Sequence, residues 1–296
     1  MQRTETPLLR IAPNLFVKAE LFNPAGSHKA RSARHVVDSA IAQGHIAPGG
    51  PRRILEKTGG NFGIGLAMAA GAHGIGVDLV IGLSFSPIKR ALCEAFGARL
   101  VGMERLQAGL SPKDVIAELL EKEPAKWHFT DQFANPANLA AHEKETGPEV
   151  VTQLKAAGVE RWQPVILVKG AGTGASTTGV ARSLKAAFSN VEVNVVVPLG
   201  CNLEEGVLSD HPLEGIAVGV KPPFLEYALV DKFTNVSPQQ AWKGQTLLAQ
   251  SAGIFPGSSS GANIFVAHAL AQALPDAMIV TFAYDGGEYS LLRNIS

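Results

Sequence analysis

The stretch NPAGSHKARSA, residues 23–33, contains a lysine that neither charge patterning nor core packing requires. Lys29 stands between a glycine-containing turn and a run of small residues. Its amine could form a Schiff base, because an activated lysine is a nucleophile towards carbonyl carbon. Taken alone, Lys29 is best interpreted as a solvated surface cation. A role in chemistry therefore requires partner groups elsewhere in the chain.

A second stretch, KGAGTGASTTG at 169–179, has the composition of an anion-binding loop. Alternating glycines allow backbone N–H groups to approach a ligand closely, and hydroxyl side chains add further donors. The loop follows the apolar run VILV and precedes the helical run GVARSLKAAF, so it lies at a predicted helix N-terminus, which attracts anions. The glycines are Gly170, Gly172 and Gly174, and the hydroxyl residues are Thr173, Ser176, Thr177 and Thr178.

This loop matches no complete nucleotide-binding fingerprint. A Walker loop ends in Gly-Lys-Ser/Thr, and no such ending occurs in the sequence. The dinucleotide fingerprint, started at Gly170, has Ala175 at its sixth place, and the candidate ribose-binding acid, Glu192, lies inside the next predicted strand. A hydroxyl-rich loop is better suited to the terminal phosphate of a small monoester.

Lysine and phosphate loop together indicate pyridoxal phosphate, whose aldehyde forms a Schiff base with an ε-amino group. Such a site needs a lysine, a phosphate cup, a partner for the ring nitrogen, and contacts for the ring hydroxyl and the substrate carboxylate. The sequence has a candidate for each.

The elements that must position these residues alternate between strand and helix. VDLVIGL, PVILVKG, VEVNVVV and AMIVTFAY are predicted strands, and ARLVGM (98–103) is a further one. Helices are predicted to start at Ser86-Pro87 and at Ser111-Pro112, since serine caps a helix and proline suits its first position. Strands apolar at consecutive positions are typical of parallel sheets covered on both faces, so we expect open, doubly wound α/β sheets, with a self-contained lobe around 63–101.

Composition limits the classes of partner. The 296 residues are 46% hydrophobic and carry 26 basic against 26 acidic side chains, which favours neither nucleic acid nor an anionic membrane surface. The polar start MQRTETPLLR lacks the apolar core of a signal peptide, and the apolar region 63–83 is interrupted by His73 and Asp78. Cys93 and Cys201 form no metal spacing. We expect a soluble cytoplasmic protein that acts on small molecules.

Seven motifs occur in the order seen in cysteine synthase-like enzymes, which belong to the tryptophan synthase β-type (fold type II) class of pyridoxal phosphate enzymes. They are GSHKARSA, KTGGNFGIGLA, QFANPANLAAHEKETGPEV, GAGTGASTTGV, EGIAVGVKPP, GIFPGSSSGA and YDGGEYS. The resemblance runs from about Thr6 to Glu288. It implies two lobes, each an open, mostly parallel sheet flanked by helices, with the cofactor in the cleft between them. The smaller, mobile lobe is expected at 34–135, and the larger at 1–33 plus 136–296, carrying the lysine, the phosphate cup and the ring-nitrogen serine.

The resemblance also implies roles for individual residues. Lys29 resembles the Schiff-base lysine that moves protons at the substrate, and Asn61 the side chain that bonds the ring hydroxyl. Ser259, rather than Ser258 or Ser260, resembles the partner of the pyridine nitrogen, and Gly219 the glycine along the cofactor's edge. The phosphate cup is expected at Gly172, Thr173, Gly174, Ala175 and Ser176. The substrate residues are expected to be Thr58, Gly59, Gly60 and Phe62 of the carboxylate loop, with Gln132 facing the same pocket.

The implied activity is β-replacement on an activated serine-type amino acid through an aminoacrylate, by a homodimeric enzyme. A neutral serine at the ring nitrogen leaves the cofactor a weaker electron sink, which suits loss of a β-substituent. The alternatives are a β-elimination lyase of the same fold, a non-catalytic pyridoxal phosphate-binding relative and, less closely, a nucleotide-dependent oxidoreductase.

The sequence departs from the family at the carboxylate loop. The usual Thr-Ser-Gly-Asn-Thr-Gly reads Thr-Gly-Gly-Asn-Phe-Gly, so Gly59 and Phe62 replace two hydroxyl residues. This change puts O-acetylserine itself in question more than the cofactor, and restoring both hydroxyls is predicted to raise activity on that substrate. Elsewhere, His142 and the following EKETGPE are interpreted as a solvated helix face and turn.

Overall fold

The structure is a computed structural model of the chain, and it describes residues 5–83 and 85–288. These residues form two compact units, Lys29–Asn138 and residues 5–28 together with 139–288. Helix α1 (Lys29–Ala42) belongs as a whole to the smaller unit, which therefore begins at Lys29 and not at residue 34. The sequence prediction assigned this lysine to the larger lobe.

A four-stranded parallel sheet forms the centre of the smaller unit, in the order β5-β4-β3-β6. Strands β4 and β5 follow β3 in sequence and lie on one side of it, whereas β6 lies on the other side of β3. Adjacent strands whose connections run in opposite directions form a switch point, and the loops at their carboxyl ends diverge there and leave a crevice. The strands are β3 (Arg53–Lys57), β4 (Val77–Val80), β5 (Ala98–Leu100) and β6 (Trp127–Phe129).

Helices flank this sheet where the sequence places proline or small residues. Helix α3 begins at Pro87 as predicted, although the Ser86 hydroxyl makes no capping hydrogen bond. Strand β5 is shorter than predicted, because Gly102 takes a left-handed φ of 74° and a new helix starts after it. The helices after α1 are α2 (Asn61–Gly71), α3 (Pro87–Ala95), α4 (Met103–Gln107), α5 (Pro112–Lys122) and, across the unit boundary, α6 (Pro136–Ala141).

The larger unit contains a six-stranded sheet in the order β1-β2-β10-β7-β8-β9, parallel except for the β1–β2 pair. Its switch point lies between β7 and β10, which places the loops after these two strands side by side. The strands are β1 (Leu8–Ala12), β2 (Leu15–Ala19), β7 (Val165–Gly170), β8 (Val191–Pro198), β9 (Lys232–Val236) and β10 (Met278–Ala283).

Both faces of this sheet are covered, as the consecutive apolar residues of its strands predict. On β7, Leu167 packs into one buried cluster, whereas Ile166 and Val168 pack into another. The covering helices are α7 (Gly147–Ala156), α8 (Ala175–Ala187), α9 (Pro238–Ala252) and α10 (Ser258–Ala273), with a π-helix at His142–Thr146 and short 3-10 helices at Glu20–Phe22, Pro24–Gly26 and Tyr227–Leu229. Across residues 5–83 and 85–288, none of the helices is both long and apolar enough to cross a membrane.

Candidate functional site

The glycine loop of the larger unit connects β7 to α8 at the sheet's switch point. Gly172 has no room for a side chain, since a Cβ there would overlap the carbonyl oxygen of Gly215. Gly174 takes a φ of 87°, and a Cβ on it would come within 2.7 Å of the Cα of Leu225. Both glycines are therefore required by close backbone packing, which fixes the start of α8 and the direction of its first N–H groups.

Some hydroxyl groups of the glycine loop bond within the fold, and others remain available to a ligand. Thr177 donates to the Gly170 carbonyl at 3.1 Å, and Thr178 donates to the Phe224 carbonyl at 2.7 Å. The prediction that these two threonines are ligand donors is wrong, because their hydroxyl protons are used within the fold. The Ser176 Oγ is buried and has no hydrogen-bond partner in the described chain. A buried hydroxyl without a partner is costly, so Ser176 is the side-chain donor the loop offers a ligand.

The serine cluster at the start of α10 divides in the same way. Ser260 Oγ accepts the Tyr284 N–H at 2.9 Å, and the Ser258 hydroxyl lies 3.4 Å from the Pro212 carbonyl. Ser259 is buried, and no hydrogen bond of the described chain uses its hydroxyl. All three serines lie in the first turn of α10, whereas the sequence prediction placed them in the turn before it. This arrangement favours Ser259 as the residue that meets a ligand.

Two buried residues that the sequence analysis missed join α10 to the glycine loop. Asn263 Oδ1 accepts the Gly170 N–H at 2.8 Å, and its Nδ2 donates to the Phe282 carbonyl at 3.3 Å. The Tyr284 hydroxyl donates to the Gly170 carbonyl at 3.0 Å. A polar residue inside the otherwise apolar run ANIFVA is the signal that could have identified Asn263.

Gly219 lies on an exposed turn of the larger unit with a φ of 78°. Its N–H donates to the carbonyl of Ala217, whose own N–H donates to Ala171 in the glycine loop at 2.9 Å. Ala217 itself has a φ of 48°, a conformation that costs an alanine free energy. The segment before Gly219 is thus tied to the glycine loop.

In the smaller unit, the predicted substrate residues follow the two strands of the switch point. Thr58, Gly59 and Gly60 come directly after β3, and Asn61 and Phe62 begin α2. Phe62 is buried, and a Cβ on Gly60 would meet open space. Gln132 follows β6 and is buried, and no hydrogen bond of the described residues uses its side-chain amide. The loop after β3 and Gln132 therefore meet at the same edge of the sheet.

A buried carboxylate on β3, missed by the sequence analysis, holds the loop after β6 that carries Gln132. Glu56 is 1% exposed; its Oε2 accepts the Thr130 hydroxyl at 2.6 Å and the Gln132 N–H at 3.3 Å, and its Oε1 accepts the Lys57 N–H at 3.0 Å. Desolvation raises the pKa of Glu56 from 4.5 to about 7, although the hydrogen bonds oppose the shift. Asp131, next to Gln132, has a φ of 42°, so this corner is also strained.

Lys29 is the first residue of α1, and the residues before it are fixed in the larger unit. Ser27 forms a β-bridge with Asp285, and the His28 N–H donates to the Tyr284 carbonyl at 3.0 Å. The lysine residue is half-buried as a whole, but desolvation of its amine lowers the pKa from 10.5 to about 8. A lysine amine that loses its proton near pH 8 is a better nucleophile than an ordinary surface lysine.

The interpretation of His142 and EKETGPE as a solvated face is wrong for His142, Glu145 and Glu149, whereas Lys144 is exposed. His142 is 1% exposed, and Glu145 and Glu149 are also buried. Glu149 pairs with the buried Lys18, whose amine also donates to the Thr6 carbonyl at 2.6 Å. The charged residues stay inside the larger unit because they pair there, which a helical charge pattern does not reveal.

Comparison with known proteins gives the chain its family. The model of the family described as "Pyridoxal-phosphate dependent enzyme" matches residues 1–285. The chain belongs to this family. It is a pyridoxal phosphate-dependent enzyme of the cysteine synthase-like type and has the fold type II architecture.

Curated and solved relatives cover nearly all of the chain. A "Probable cysteine synthase" of Bacillus subtilis (strain 168) is 35% identical over 98% of this chain and 94% of its own length. The "O-ureido-L-serine synthase" of Streptomyces lavendulae is 32% identical over 95% and 90%. A crystal structure of O-ureido-L-serine synthase superposes with a TM-score of 0.85 and 34% identity, covering 97% of this chain and 90% of that one.

The larger unit fits the phosphate of this family's cofactor. Ser176 Oγ is a buried donor that the fold does not use, and the first turn of α8 offers N–H groups beside two glycines that cannot carry side chains. A phosphate monoester has several oxygens for such donors, and the helix N-terminus favours its charge. The last two residues of the YDGGEYS motif lie outside the described residues.

Proposed function

We propose that this chain catalyses β-replacement on an activated serine-type amino acid: a nucleophile forms a bond to Cβ while an ester leaving group departs as its acid. The observation that carries the proposal is the shared chemistry of full-length relatives. Cysteine and O-ureido-L-serine, the products that two relatives are named for, are both L-alanine with a heteroatom at Cβ. A solved relative from Helicobacter pylori, 30% identical, is titled as an O-acetylserine dependent cystathionine beta-synthase.

Bound pyridoxal phosphate supplies an electron sink at the substrate's α-carbon. We assign Lys29 Nζ to the covalent attachment of the cofactor and to the transfer of the substrate's α-proton. Its lowered pKa supports this assignment, because a general base acts best when its pKa lies near the working pH. Gly172, Thr173, Gly174, Ala175 and Ser176 are proposed to hold the phosphate.

Ser259 is proposed to face the pyridine nitrogen. A hydroxyl there donates or accepts a hydrogen bond but does not force the ring to stay protonated, as a carboxylate would. The other two serines of the cluster are tied to Pro212 and Tyr284, which supports the choice of Ser259. Gly219 is proposed to lie along the cofactor's edge, and Asn61 to meet its ring hydroxyl.

On the substrate side, Thr58, Gly59, Gly60 and Phe62 are proposed to form the carboxylate loop. Gln132 is proposed to reach the same ligand, since its backbone is held by Glu56 and, at 2.8 Å, by Asn138, while its side-chain amide is left for other partners. The switch-point geometry of the smaller sheet supports these assignments, because it brings the ends of β3 and β6 to one edge.

We further propose that the enzyme is a cytoplasmic homodimer. Cys93 and Cys201 are both buried free thiols, as expected of a protein in a reducing compartment. Sedimentation of the purified protein tests the oligomeric state, and a monomer at micromolar concentration would contradict it.

The function is tested by adding O-acetyl-L-serine to the purified holoenzyme with sulfide or hydroxyurea as nucleophile. We expect the visible band of the protein to change, acetate to be released, and L-cysteine or O-ureido-L-serine to form in equal amount. Formation of pyruvate and ammonia in place of these products, with both nucleophiles present, would instead establish a lyase.

A further inference from the structure

Gly59 has no conformational reason to be glycine. Its φ lies outside the left-handed region, which many other glycines of the described chain occupy. The residue is buried, and the neighbouring Gly60 has open space where a side chain would project. The absence of a side chain at position 59 must therefore be explained by what lies beside it.

The ring of Phe85 fills that space. A Cβ on Gly59 would lie 2.8 Å from Phe85 Cδ2 and nearer still to Cγ and Cδ1, well inside van der Waals contact. A Cβ on Gly82 would also contact the ring, at 3.5 Å from Phe85 Cδ2, and the Phe85 N–H donates to the Gly82 carbonyl at 3.2 Å. The ring therefore packs against two glycines, and a side chain at position 59 would require it to move.

Phe85 is nevertheless 46% exposed, so its packing against Gly59 leaves part of the ring open. A side chain at position 59 would project into the ring, which means that the ring occupies the place of the serine that Gly59 replaces. In the carboxylate loop of this chain, an apolar wall thus stands where a hydroxyl is expected. The loop's remaining donors for a carboxylate are backbone N–H groups and Thr58.

We infer that Phe85 is a specificity-determining residue that acts as one unit with Gly59, replacing a hydroxyl contact to the substrate carboxylate with an aromatic wall. The inference rests on the proposed function of the loop. It also revises the expectation that restoring the hydroxyls at positions 59 and 62 is enough to raise activity on O-acetylserine, because a serine at position 59 cannot be accommodated while the Phe85 ring stays in place.

The test is a double-mutant cycle on the holoenzyme with Gly59→Ser, Phe85→Ala and the two combined. The readouts are the KM for O-acetyl-L-serine and the concentration of L-alanine that half-saturates the change in the visible band. We expect Gly59→Ser alone to raise both values about tenfold or more, because the new side chain collides with the ring. The double variant should bring both values below those of the wild type by about tenfold to a hundredfold, the effect of one hydroxyl–carboxylate contact.

Gly59→Ser combined with Phe96→Ala is the matched control, since Phe96 is another partly exposed phenylalanine of the same unit, at the end of α3. This control should behave like Gly59→Ser. The inference is overturned if Gly59→Ser alone tightens binding, or if the double variant equals the sum of its single changes. L-alanine has no leaving group, so its binding measures the coupling between positions 59 and 85 even if the enzyme does not turn over O-acetyl-L-serine. Absence of turnover would count against the proposed function only.

Discussion

At the scale of single residues, Lys29 and the unused hydroxyls carry the proposed chemistry. The local signals for them were present in the sequence: a lysine among small residues and a serine in the first turn of a helix after a glycine loop. Which of several neighbouring hydroxyls remains available was not predictable, because Thr177 and Thr178 find partners at Gly170 and at Phe224, distant in sequence in the second case.

Replacing Lys29 by alanine should abolish the visible absorption of protein-bound pyridoxal phosphate, because the amine is the proposed point of covalent attachment. The absorption spectrum of the purified variant measures this directly. Lys126→Ala is the control, since that lysine is partly exposed and pairs with Glu123 at 2.9 Å. A Lys29→Ala protein that keeps the wild-type band would refute the assignment.

Ser176→Ala should weaken cofactor binding about tenfold to a hundredfold, the effect of losing one hydrogen bond to a charged group. Titration of the apoprotein with pyridoxal phosphate measures the affinity. Thr178→Val should lower the melting temperature instead and leave the affinity nearly unchanged, since this hydroxyl bonds the Phe224 carbonyl and the Glu226 N–H. Equal losses of affinity in both variants would contradict the division between structural and ligand hydroxyls.

At the scale of elements, the sheets place the candidate residues at their switch points. Alternating strand and helix patterns predict parallel sheets, but they do not specify the order of the strands. The return of β6 to the far side of β3 brings Gln132 beside the loop after β3, and Glu56 on β3 holds the Gln132 backbone. The sequence analysis missed Glu56, because a glutamate near the end of a short strand carries no local sign of burial.

Glu56 should make the smaller unit less stable as the pH rises. Its folded pKa of about 7 lies above the ordinary 4.5, so the folded state holds a proton that the unfolded state has lost between these values. The contribution of Glu56 to the free energy of unfolding is therefore fully present below pH 4.5. It falls by about 3 kcal/mol as the pH rises to 7. Denaturant unfolding of wild type and Glu56→Gln is compared at several pH values, with Trp162→Phe and Trp242→Phe in both proteins so that fluorescence reports Trp127 of the smaller unit. It should show this difference; a constant difference from pH 4.5 to 7 would exclude it.

At the scale of the whole molecule, buried charge ties distant parts of the larger unit together. Lys18 on β2 donates to the carbonyl of Thr6 and pairs with Glu149 on α7, and Gln153 accepts a further bond from the same amine at 2.7 Å. The chain beside β2 is thereby fixed to a helix far along the sequence. Such a pair orients its elements but is weak evidence of net stability, since both charges lost their hydration.

Replacing one partner of the Lys18–Glu149 pair should lower the free energy of unfolding more than replacing both. Lys18→Met removes the cation that pairs with the buried Glu149 carboxylate and should lower the free energy of unfolding by about 3–5 kcal/mol. The double change Lys18→Met with Glu149→Leu should recover a large part of that loss, because no isolated charge remains. Thermal or denaturant unfolding of the three proteins measures the difference, and additive losses would show that the pair acts through other contacts.

The sequence by itself determined the alternation of elements and the glycine loop at a helix N-terminus, and its motifs supplied the candidate residues for holding pyridoxal phosphate. These features are local, since strand and helix periods, proline starts and glycine spacing are readable within a few residues. Tertiary structure decided which of those residues are used within the fold. Packing brings together partners that no spacing rule encodes. Examples are the burial of His142 and Glu149, the hydrogen bonds of Glu56 to the loop after β6, and the contact of the Phe85 ring with Gly59.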